Sequence, residues 1–240
     1  MNILGIIPAR YNSSRFPGKP LAEIKGKSMI HRVYEQAKQV SAFTKIIVAT
    51  DDLRILEHVE FFGGNVLMTA TTHQSGTDRC GEVITTLPGE YDIVVNIQGD
   101  EPFIQPSQLQ KLIDIFHDDK VTIATLAKKI TDAKQIADPN IVKVVFSSNH
   151  DVLYFSRSII PGNKTGIQDI KTDYFKHLGI YAYRTEVLEC IVKLKQTPLE
   201  VAESLEQLRW LENGFSIRIV ETEIESISID TPADLEKLIS

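Results

Sequence analysis

Short runs of aliphatic and β-branched residues alternate along the first half of the chain with segments in which apolar residues recur every three or four positions. The continuous runs predict buried strands, and the three-four spacing predicts amphipathic helices. Strands are predicted at Ile3–Ile7, Lys45–Ala49, Asn65–Met68, Asp92–Ile97 and Val121–Leu126. Helices are predicted between them at Ser28–Ser41, Asp52–Phe62, Gly76–Leu87 and Pro106–Phe116. This alternation is typical of right-handed βαβ crossovers and predicts a mostly parallel sheet with helices on both faces.

The pattern changes after residue 140, where strand-like runs become more frequent. Strands are predicted at Ile141–Phe146, Val152–Phe155 and His177–Tyr183, followed by helices at Thr185–Leu194 and Ser204–Asn213, a strand at Ser216–Glu221 and a helix after Thr231. Residues 161–171 gather Pro, Gly, Asn and Lys without hydrophobic periodicity, which predicts a flexible loop. We therefore expect an α/β protein with a smaller strand-rich subregion in its second half.

Length and composition indicate the class of protein. A chain of 240 residues is long enough for one large α/β domain. Its apolar runs are too short to cross a bilayer, and its first residues lack the basic start and cleavage site of a signal peptide. We therefore expect a cytoplasmic protein with no membrane partner. Cys80 and Cys190 are isolated in predicted helices, which favours reduced packing residues over a disulfide.

One loop of this acidic protein carries three cations. The net charge of −6 argues against nucleic-acid binding, which needs a spare basic face. Residues 9–20 leave the first predicted strand as a Pro-, Gly- and Ser-rich segment that carries Arg10, Arg15 and Lys19. Loops at the carboxyl ends of parallel strands bind ligands, and clustered cations favour a polyanion such as a nucleoside triphosphate. The alternative is a solvated surface turn, which the position after a buried strand disfavours.

Carboxylates follow other predicted elements. Asp100 comes after the fourth strand in the segment Gly-Asp-Glu-Pro, at the same sheet edge as the basic loop. Hard oxygen ligands near a triphosphate favour Mg²⁺, so Asp100 is the first candidate metal ligand; the alternative is a capping residue in a turn. Asp230, expected at the end of a strand, is the second candidate. Thr231 and Pro232 fit an ordinary helix start equally well, so both interpretations of Asp230 stay open.

A polar loop at residues 71–79 follows the third predicted strand. Its backbone amides and small polar side chains suit the edge of a nucleotide base. The loop fits a solvated helix entry equally well, because Ser75 and Thr77 are good helix-capping residues.

Polar residues also occur in the strand-rich half. Period-two alternation places His177 and Tyr181 on one face of a strand, although a lone His in a strand is more often structural. Arg157 follows the strand at Val152–Phe155. Glu206 and Gln207 belong to an amphipathic segment and would ordinarily lie on the solvent-exposed face of a helix.

Together these stretches resemble the 3-deoxy-manno-octulosonate (KDO) cytidylyltransferases, or CMP-KDO synthetases, a family of sugar nucleotidyltransferases in lipopolysaccharide assembly. The similarity covers essentially the whole chain in one order. It is carried by IIPARY…RFPGKPL (6–21), IVATD (47–51), HQSGTDR (73–79), VNIQGDEP (95–102), YFSR (154–157), HLGIYAYR (177–184), SLEQLR (204–209) and DTPADL (230–235). Residues 161–174 depart from the family pattern. The resemblance implies a Rossmann-like sheet of the nucleotide-diphospho-sugar transferase type, in a single domain over residues 1–240.

The resemblance also implies a role for each candidate. About residues 1–130 would bind CTP, and about residues 131–240 would bind the sugar acid and form a homodimer. The nucleotide site would comprise Pro8, Ala9, Arg10, Arg15, Lys19, Gln74, Ser75, Gly76 and Asp100, with Arg10, Lys19 and Asp100 as catalytic residues. The sugar site would comprise Gln98, Arg157, His177, Tyr181, Glu206 and Gln207, with Arg157 facing the sugar carboxylate. Asp100 and Asp230 would bind Mg²⁺.

The implied reaction is in-line attack of the anomeric hydroxyl of KDO on the α-phosphorus of CTP, giving CMP-KDO and pyrophosphate. Positioning and electrostatics dominate such transfers, so no covalent nucleophile is required. One alternative is activation of a related sugar acid, an amino-substituted KDO or sialic acid. A cytidylyltransferase for a small polyol phosphate has no need of the YFSR and HLGIY stretches together. A non-catalytic nucleotide-binding protein would lose the charged site residues that this chain retains.

Overall fold

A mixed sheet with helices on both faces organises the chain. The computed structural model describes residues 1–13, 15–162, 172–225 and 228–239. The strands of these residues are β1 (Ile3–Ala9), β2 (Glu23–Ile24), β3 (Lys27–Ser28), β4 (Lys45–Thr50), β5 (Val66–Met68), β6 (Ile93–Asn96), β7 (Ile123–Lys129), β8 (Lys143–Phe146), β9 (Val152–Ser156), β10 (Phe175–Arg184) and β11 (Arg218–Glu221). The helices are α1 (Met29–Lys38), α2 (Leu53–Phe61), α3 (Gly76–Thr86), α4 (Pro106–Asp114), α5 (Ala133–Ala137), α6 (Thr185–Ile191), α7 (Pro198–Glu203), α8 (Gln207–Glu212) and α9 (Pro232–Ile239).

The strand order of the main sheet is β11-β7-β10-β6-β1-β4-β5. β1 pairs in parallel with β4 and β6, β4 with β5, and β7 with β11. β10 runs antiparallel to both of its neighbours, β6 and β7, and also pairs with the β8–β9 hairpin. The predicted mostly parallel sheet flanked by helices is therefore confirmed. Because β10 lies between two strands of the first half, the two halves share one sheet; the division near residue 130 stays a prediction.

Both faces of the sheet are buried under helices. Ile3 and Ile7 of β1 belong to the apolar cluster that includes side chains of α1, α2 and α4. Leu4 and Ile6 of the same strand belong to the cluster that includes side chains of α3, α6 and α8. All four residues are at most 3% exposed. Since successive side chains of a strand point to opposite faces, double burial explains why β1 is a continuous apolar run.

The structure corrects several predicted boundaries in the second half. The helix predicted at Ser204–Asn213 is present as α8, but it starts only at Gln207, because Ser204 has a left-handed backbone with φ of 53° that ends α7. The hydrogen-bonding partner of the Ser204 N–H is the carbonyl of Glu200, which closes the end of α7. Helix α7, helix α5 and the two-residue strands β2 and β3 were not predicted, because elements of two to six residues are too short to show periodicity.

Other expectations have mixed outcomes. Cys80 is buried in α3 as predicted, whereas Cys190 in α6 is exposed and is therefore not a packing residue. The predicted flexible loop at residues 161–171 lies, from residue 163 onward, outside the described residues. In the described part of the chain, no helix combines the length and the apolar composition needed to cross a membrane.

A buried ion pair fixes α7 against α8. Glu200 and Arg209 are 6% and 8% exposed. Two bonds join them: Nε of Arg209 donates to one carboxylate oxygen at 2.8 Å and Nη2 donates to the other at 2.5 Å. Such a pair contributes modestly as a whole, but removing one partner leaves a buried charge without compensation.

We predict that Glu200→Ala lowers the free energy of unfolding by about 3–5 kcal/mol, measured by urea denaturation, because the Arg209 guanidinium stays buried and unpaired. The matched control is the exposed pair of Lys27 and Glu35, which are 2.6 Å apart and 45% and 43% exposed. Glu35→Ala should cost less than about 1 kcal/mol. Equal losses of unfolding free energy in the two variants would contradict this distinction between a buried and an exposed ion pair.

Candidate active site

A polar cleft of about 290 Å³ lies at the carboxyl ends of β1 and β6. Its walls come from the basic loop, the turn before α3, the turn after β6 and the segment before α9. The lining residues are Pro8, Ala9, Arg10, Ser13, Arg15, Lys19, Pro20, His73, Gln74, Ser75, Gly76, Arg79, Gln98, Gly99, Asp100 and Asp230. Every residue predicted for the nucleotide, and both predicted for the metal, is among them. The structure thus brings together residues more than 200 positions apart.

The basic loop is held in place by contacts of Tyr11. The carbonyl of Tyr11 accepts a hydrogen bond from the N–H of Gly18 at 2.8 Å. Gly18 has φ of +73°, and a Cβ there would lie 3.2 Å from the Tyr11 ring, so the turn favours glycine. On α2, the Arg54 guanidinium carbon lies 3.3 Å from the centroid of that ring. This contact is a cation–π interaction, which anchors the irregular loop to a helix.

Opposite charges converge on one lysine. Nζ of Lys19 lies 2.7 Å from Oδ2 of Asp100 and 3.4 Å from Oδ1 of Asp230. Nη2 of Arg15 lies 3.0 Å from the same Asp230 oxygen. The Lys19 side chain is only 14% exposed, whereas that of Arg15 is 65% exposed. Two carboxylates separated by 130 residues in sequence therefore contact a single ammonium group.

This donor set fits Mg²⁺. The two carboxylates supply hard oxygen ligands, and both reach the one position that the Lys19 ammonium group now takes. In the described part of the chain, no group of three or more His, Cys, Asp or Glu residues is arranged to hold a metal. Mg²⁺ commonly binds through one or two carboxylates, with substrate phosphates and water as its remaining ligands.

Asp230 lies in the cleft, but it is placed there by the start of a helix and not, as was predicted, by the end of a strand. It does not end a strand, because β11 finishes at Glu221 and Asp230 immediately precedes the Thr231 cap of α9. Thr231 Oγ1 accepts from the N–H of Asp234, and the Asp234 carboxylate accepts from the N–H of Thr231. The capping interpretation is therefore right for Thr231, and it leaves the Asp230 carboxylate directed at Lys19 and Arg15.

Backbone contacts position Asp100 beside Asp230. The carbonyl of Asp100 accepts a hydrogen bond from the N–H of Ile229 at 3.0 Å. On its other side, Gly99 passes so close to β1 that an added Cβ would lie 2.8 Å from the carbonyl oxygen of Pro8. A larger residue at Gly99 would push the carboxylate loop away from the basic loop. The close approach of these chain segments is therefore part of the site.

The turn before α3 forms the opposite wall. Ser75 caps this helix: its Oγ accepts from the N–H of Asp78, and the Asp78 side chain accepts from the N–H of Ser75. Arg79 is 3% exposed and donates to Asp51 at 3.0 Å and to Thr69. Because Arg79 spans from α3 to the ends of β4 and β5, it fixes the start of α3 at the sheet edge.

Glu206 connects the second half of the chain to this wall. Its carboxylate oxygens accept hydrogen bonds from the hydroxyl of Ser75 at 2.7 Å and from that of Thr77 at 2.8 Å. Burial raises the pKa of Glu206, and the two hydroxyls partly oppose that change. The interpretation of Glu206 as a solvated residue on a helix surface is wrong, because this residue immediately precedes α8 and its carboxylate faces α3.

The residues predicted for the sugar lie beside and beneath the cleft. Gln98 lines it and donates to the carbonyl of Gly179 at 2.6 Å. The rings of His177 and Tyr181 are 5.3 Å apart and share a face of β10, as the period-two alternation predicted. The Tyr181 hydroxyl is buried and has no hydrogen-bond partner among the described residues. Gln207 is 5% exposed at the start of α8.

Arg157 stands apart from the cleft lining, at the end of β9. Its N–H donates to the Glu203 carboxylate at 2.9 Å, and its Nε donates to the Glu203 carbonyl at 2.9 Å. The carbonyl of Arg157 accepts from Nζ of Lys143 at 2.5 Å. Lys143 is fully buried and also donates to two other carbonyls. The Arg157 backbone is thus held on both sides by charged groups, and its role at the sugar stays a prediction.

Comparison with known proteins identifies the family. A family model described as "Cytidylyltransferase" matches residues 4–225. The chain belongs to the cytidylyltransferase family. It is 51% identical over 247 residues to the 3-deoxy-manno-octulosonate cytidylyltransferase of Parabacteroides distasonis, a match that covers 100% of this chain and 98% of the relative. It is 53% identical over 242 residues to the 3-deoxy-manno-octulosonate cytidylyltransferase of Bacteroides thetaiotaomicron, covering 98% and 96%.

A solved structure agrees. CMP:2-keto-3-deoxy-manno-octonic acid synthetase complexed with CTP is 46% identical, with a TM-score of 0.93 over 100% of this chain and 97% of that chain. The resemblance to KDO cytidylyltransferases is therefore confirmed, and this cytidylyltransferase is an enzyme of the nucleotidyltransferase class.

Sequence reasoning missed some residues of the cleft. It assigned no role to the lining residues His73 and Arg79, and it considered Thr77, which does not line the cleft, only as a helix cap. All three belong to the matched stretch HQSGTDR. His73 lines the cleft and pairs with Glu82, which also accepts from the N–H of Ala70 at 2.8 Å. The periodic spacing of α3 places Thr77 and Arg79 on buried positions, but no local pattern indicates their distant partners.

His177 is expected to be neutral at working pH. Desolvation lowers the pKa of His177 well below its ordinary value of 6.5. Its Nε2 lies 3.0 Å from Oγ1 of Thr125, whose hydroxyl also lies 2.7 Å from the carbonyl of Ile180. A carbonyl only accepts, so the Thr125 hydroxyl donates its proton there and accepts from Nε2.

We predict that ¹⁵N NMR finds His177 uncharged, with its proton on Nε2, at pH 6. The same ring in the urea-unfolded protein should be mostly protonated there, since an unperturbed histidine titrates near pH 6.5. Because the unfolded chain then binds a proton that the folded one does not, this group lowers stability as pH falls below about 6.5. A cationic His177 in the folded protein at pH 6 would contradict the assignment.

Proposed function

We propose that this cytidylyltransferase transfers CMP from CTP to the anomeric hydroxyl of KDO, giving CMP-KDO and pyrophosphate for lipopolysaccharide synthesis. The observation that carries the proposal is the convergence of three cations and two carboxylates in one cleft, opposite a capped helix start. The relatives named above, about half identical over essentially the full chain, support the same donor and acceptor. The reaction belongs in the cytoplasm, where isolated thiols such as Cys80 and Cys190 remain reduced.

The basic loop would bind the triphosphate. Arg10 is exposed at the end of β1, and Arg15 and Lys19 face the same cleft. Their charges would stabilise the negative charge that develops on the pyrophosphate as the bond from the α-phosphorus to its bridging oxygen breaks. Gln74, Ser75 and Gly76 would contact the cytosine and ribose from the opposite wall. Gly76 has no side chain, and a Cβ added there would lie 3.4 Å from Pro8. The narrow space between these two residues would suit a flat base.

Asp100 and Asp230 would hold Mg²⁺ in this reaction. The ion would screen the phosphates and lower the pKa of the attacking hydroxyl. The chain's own contribution is to keep the two carboxylates together, through the Ile229 N–H bond to the Asp100 carbonyl and the close fit of Gly99.

The sugar acid would lie toward β10 and α8. Gln98 is already in the cleft, and the unpartnered Tyr181 hydroxyl offers a hydrogen bond to a sugar hydroxyl. Neutral His177 would act as a hydrogen-bonding group and not as a cation, which leaves Arg157 to pair with the sugar carboxylate. Glu206 and Gln207 would complete the pocket from α8. The new bond would form from the anomeric oxygen to the α-phosphorus, with the hydroxyl proton released to solvent.

We predict that Lys19→Ala lowers kcat on the order of 10²–10³-fold at saturating CTP. A cation that stabilises the negative charge developing on the pyrophosphate in the transition state contributes about that much. The measurement is pyrophosphate release with CTP, Mg²⁺ and KDO, at a temperature where thermal unfolding shows that the variant is folded. Lys111→Ala on the exposed surface of α4 is the charge-matched control and should keep wild-type turnover.

The same assay discriminates the acceptors. KDO should give the highest kcat/KM, ahead of an amino-substituted KDO, sialic acid and a polyol phosphate. Near-wild-type turnover by Lys19→Ala would remove Lys19 from the catalytic machinery. Absence of pyrophosphate with every acceptor would contradict the proposed activity itself.

We further propose a homodimer built through the second half of the chain. Among the described residues, β9 forms a ladder only with β8. Beyond this ladder, the N–H of its first residue, Val152, donates to the carbonyl of Ile217 at 2.8 Å, and the rest of that edge of the strand joins no further ladder in the described part of the chain. Leu153 on β9 is 64% exposed, and Leu199 and Val201 on α7 are 40% and 62% exposed. Open strand edges with exposed apolar residues are surfaces that proteins ordinarily cover. A second copy of the chain would cover them through a two-fold interface of at least about 1,000 Å².

We predict a mass of about twice 27.0 kDa by light scattering at micromolar concentration. The double variant Leu153→Glu, Val201→Glu should reduce the mass toward that of one chain, because charges replace apolar contact area. Phe61→Glu is the control, since Phe61 is 89% exposed on α2 in the first half. A wild-type mass of one chain would contradict the dimer, and loss of the dimer in Phe61→Glu alone would place the interface elsewhere.

A further inference from the structure

Lys19 takes the place of a cation between the two proposed metal ligands. Its ammonium group contacts Asp100 at 2.7 Å and Asp230 at 3.4 Å, and its side chain is 14% exposed. Both carboxylates are also partly shielded from solvent, at 28% and 37% exposed. Without Lys19, two negative groups would face each other in a cleft that shields them partly from solvent, which is unfavourable. Lys19 therefore has a role that does not require substrate: it neutralises and holds the carboxylates.

A divalent ion and an ammonium group compete for these oxygens. The ion needs oxygen ligands about 2.0–2.1 Å away and would repel a lysine ammonium group beside it. Lys19 would have to move off the carboxylates when a metal binds between them. A triphosphate in the same cleft offers the displaced ammonium group a new partner, because Lys19 also lies on the loop with Arg10 and Arg15.

We propose that Lys19 is an internal counter-cation that is exchanged for the metal when the nucleotide binds. This inference rests on the proposed function, and it adds an order of events that the function alone does not require. In the nucleotide-free enzyme, Lys19 keeps metal affinity low and the ligands preorganised. When metal and triphosphate arrive together, Lys19 transfers from carboxylate to phosphate, so the two ligands bind cooperatively.

The test is the binding of Mn²⁺ alone, followed by the electron paramagnetic resonance signal of the free ion, with no nucleotide present. Lys19→Met should bind Mn²⁺ about tenfold more tightly than the wild type, because the competing ammonium group is gone. Arg15→Met should show a smaller gain, since Arg15 contacts Asp230 alone and is 65% exposed. Lys111→Met controls for the loss of one positive charge and should leave the affinity unchanged.

Asp230→Asn in the Lys19→Met background should abolish the gain, which assigns the added affinity to these carboxylates. Lys19→Gln, whose amide can still donate to both carboxylates, serves as the second variant if Lys19→Met does not fold. Unchanged or weaker Mn²⁺ binding in the folded Lys19 variants would overturn the inference. The pyrophosphate assay on the wild type distinguishes failure of the exchange from failure of the proposed function. If only the exchange is wrong, the wild type still releases pyrophosphate.

Discussion

The cleft depends on holding two carboxylates and three cations at one edge of a sheet. Like charges repel at short range, and more strongly where they are partly shielded from solvent, so these groups need each other as well as a rigid frame. Lys19 bridges Asp100 and Asp230, and the backbone supplies the frame through the bond from Ile229 to Asp100. Gly99 allows the carboxylate turn to approach β1 closely enough for the charges to meet.

The second half of the chain completes this frame. β10 is inserted between β6 and β7, so the strand that carries His177 and Tyr181 is hydrogen-bonded to the strand that leads to Asp100. Glu206 then reaches across from α8 to the hydroxyls of Ser75 and Thr77. The start of α8 and the start of α3 are therefore linked through a single, mostly buried carboxylate.

Local patterns were sufficient for much of the fold. Doubly buried strands such as β1 and capped helices such as α3 carry their signals within a few residues, and the basic loop and Asp100 follow directly from strand ends. The direction of β10 could not be predicted, because the pattern of a strand does not state which neighbours it will have. The later start of α8, at Gln207 instead of Ser204, could not be predicted, because the left-handed backbone of Ser204 has no signal in the apolar periodicity.

Partners distant in sequence explain the remaining failures at the site. Glu206 has the pattern of a solvated helix residue, and only the approach of α3 makes it a buried acceptor. Asp230 was expected at a strand end, whereas a cap of α9 directs it toward Lys19. In both cases the local sequence fixes the backbone, and the contacts of the side chain come from a segment more than 120 residues away.

Anomalous diffraction from crystals grown with Mn²⁺ and CTP would test the central claim most directly. The account predicts a metal peak between the carboxylates of Asp100 and Asp230, with the triphosphate on Arg10, Arg15 and Lys19 and the Lys19 ammonium group moved from carboxylate to phosphate. A metal peak remote from these two residues, or a nucleotide bound outside the cleft at the ends of β1 and β6, would contradict it.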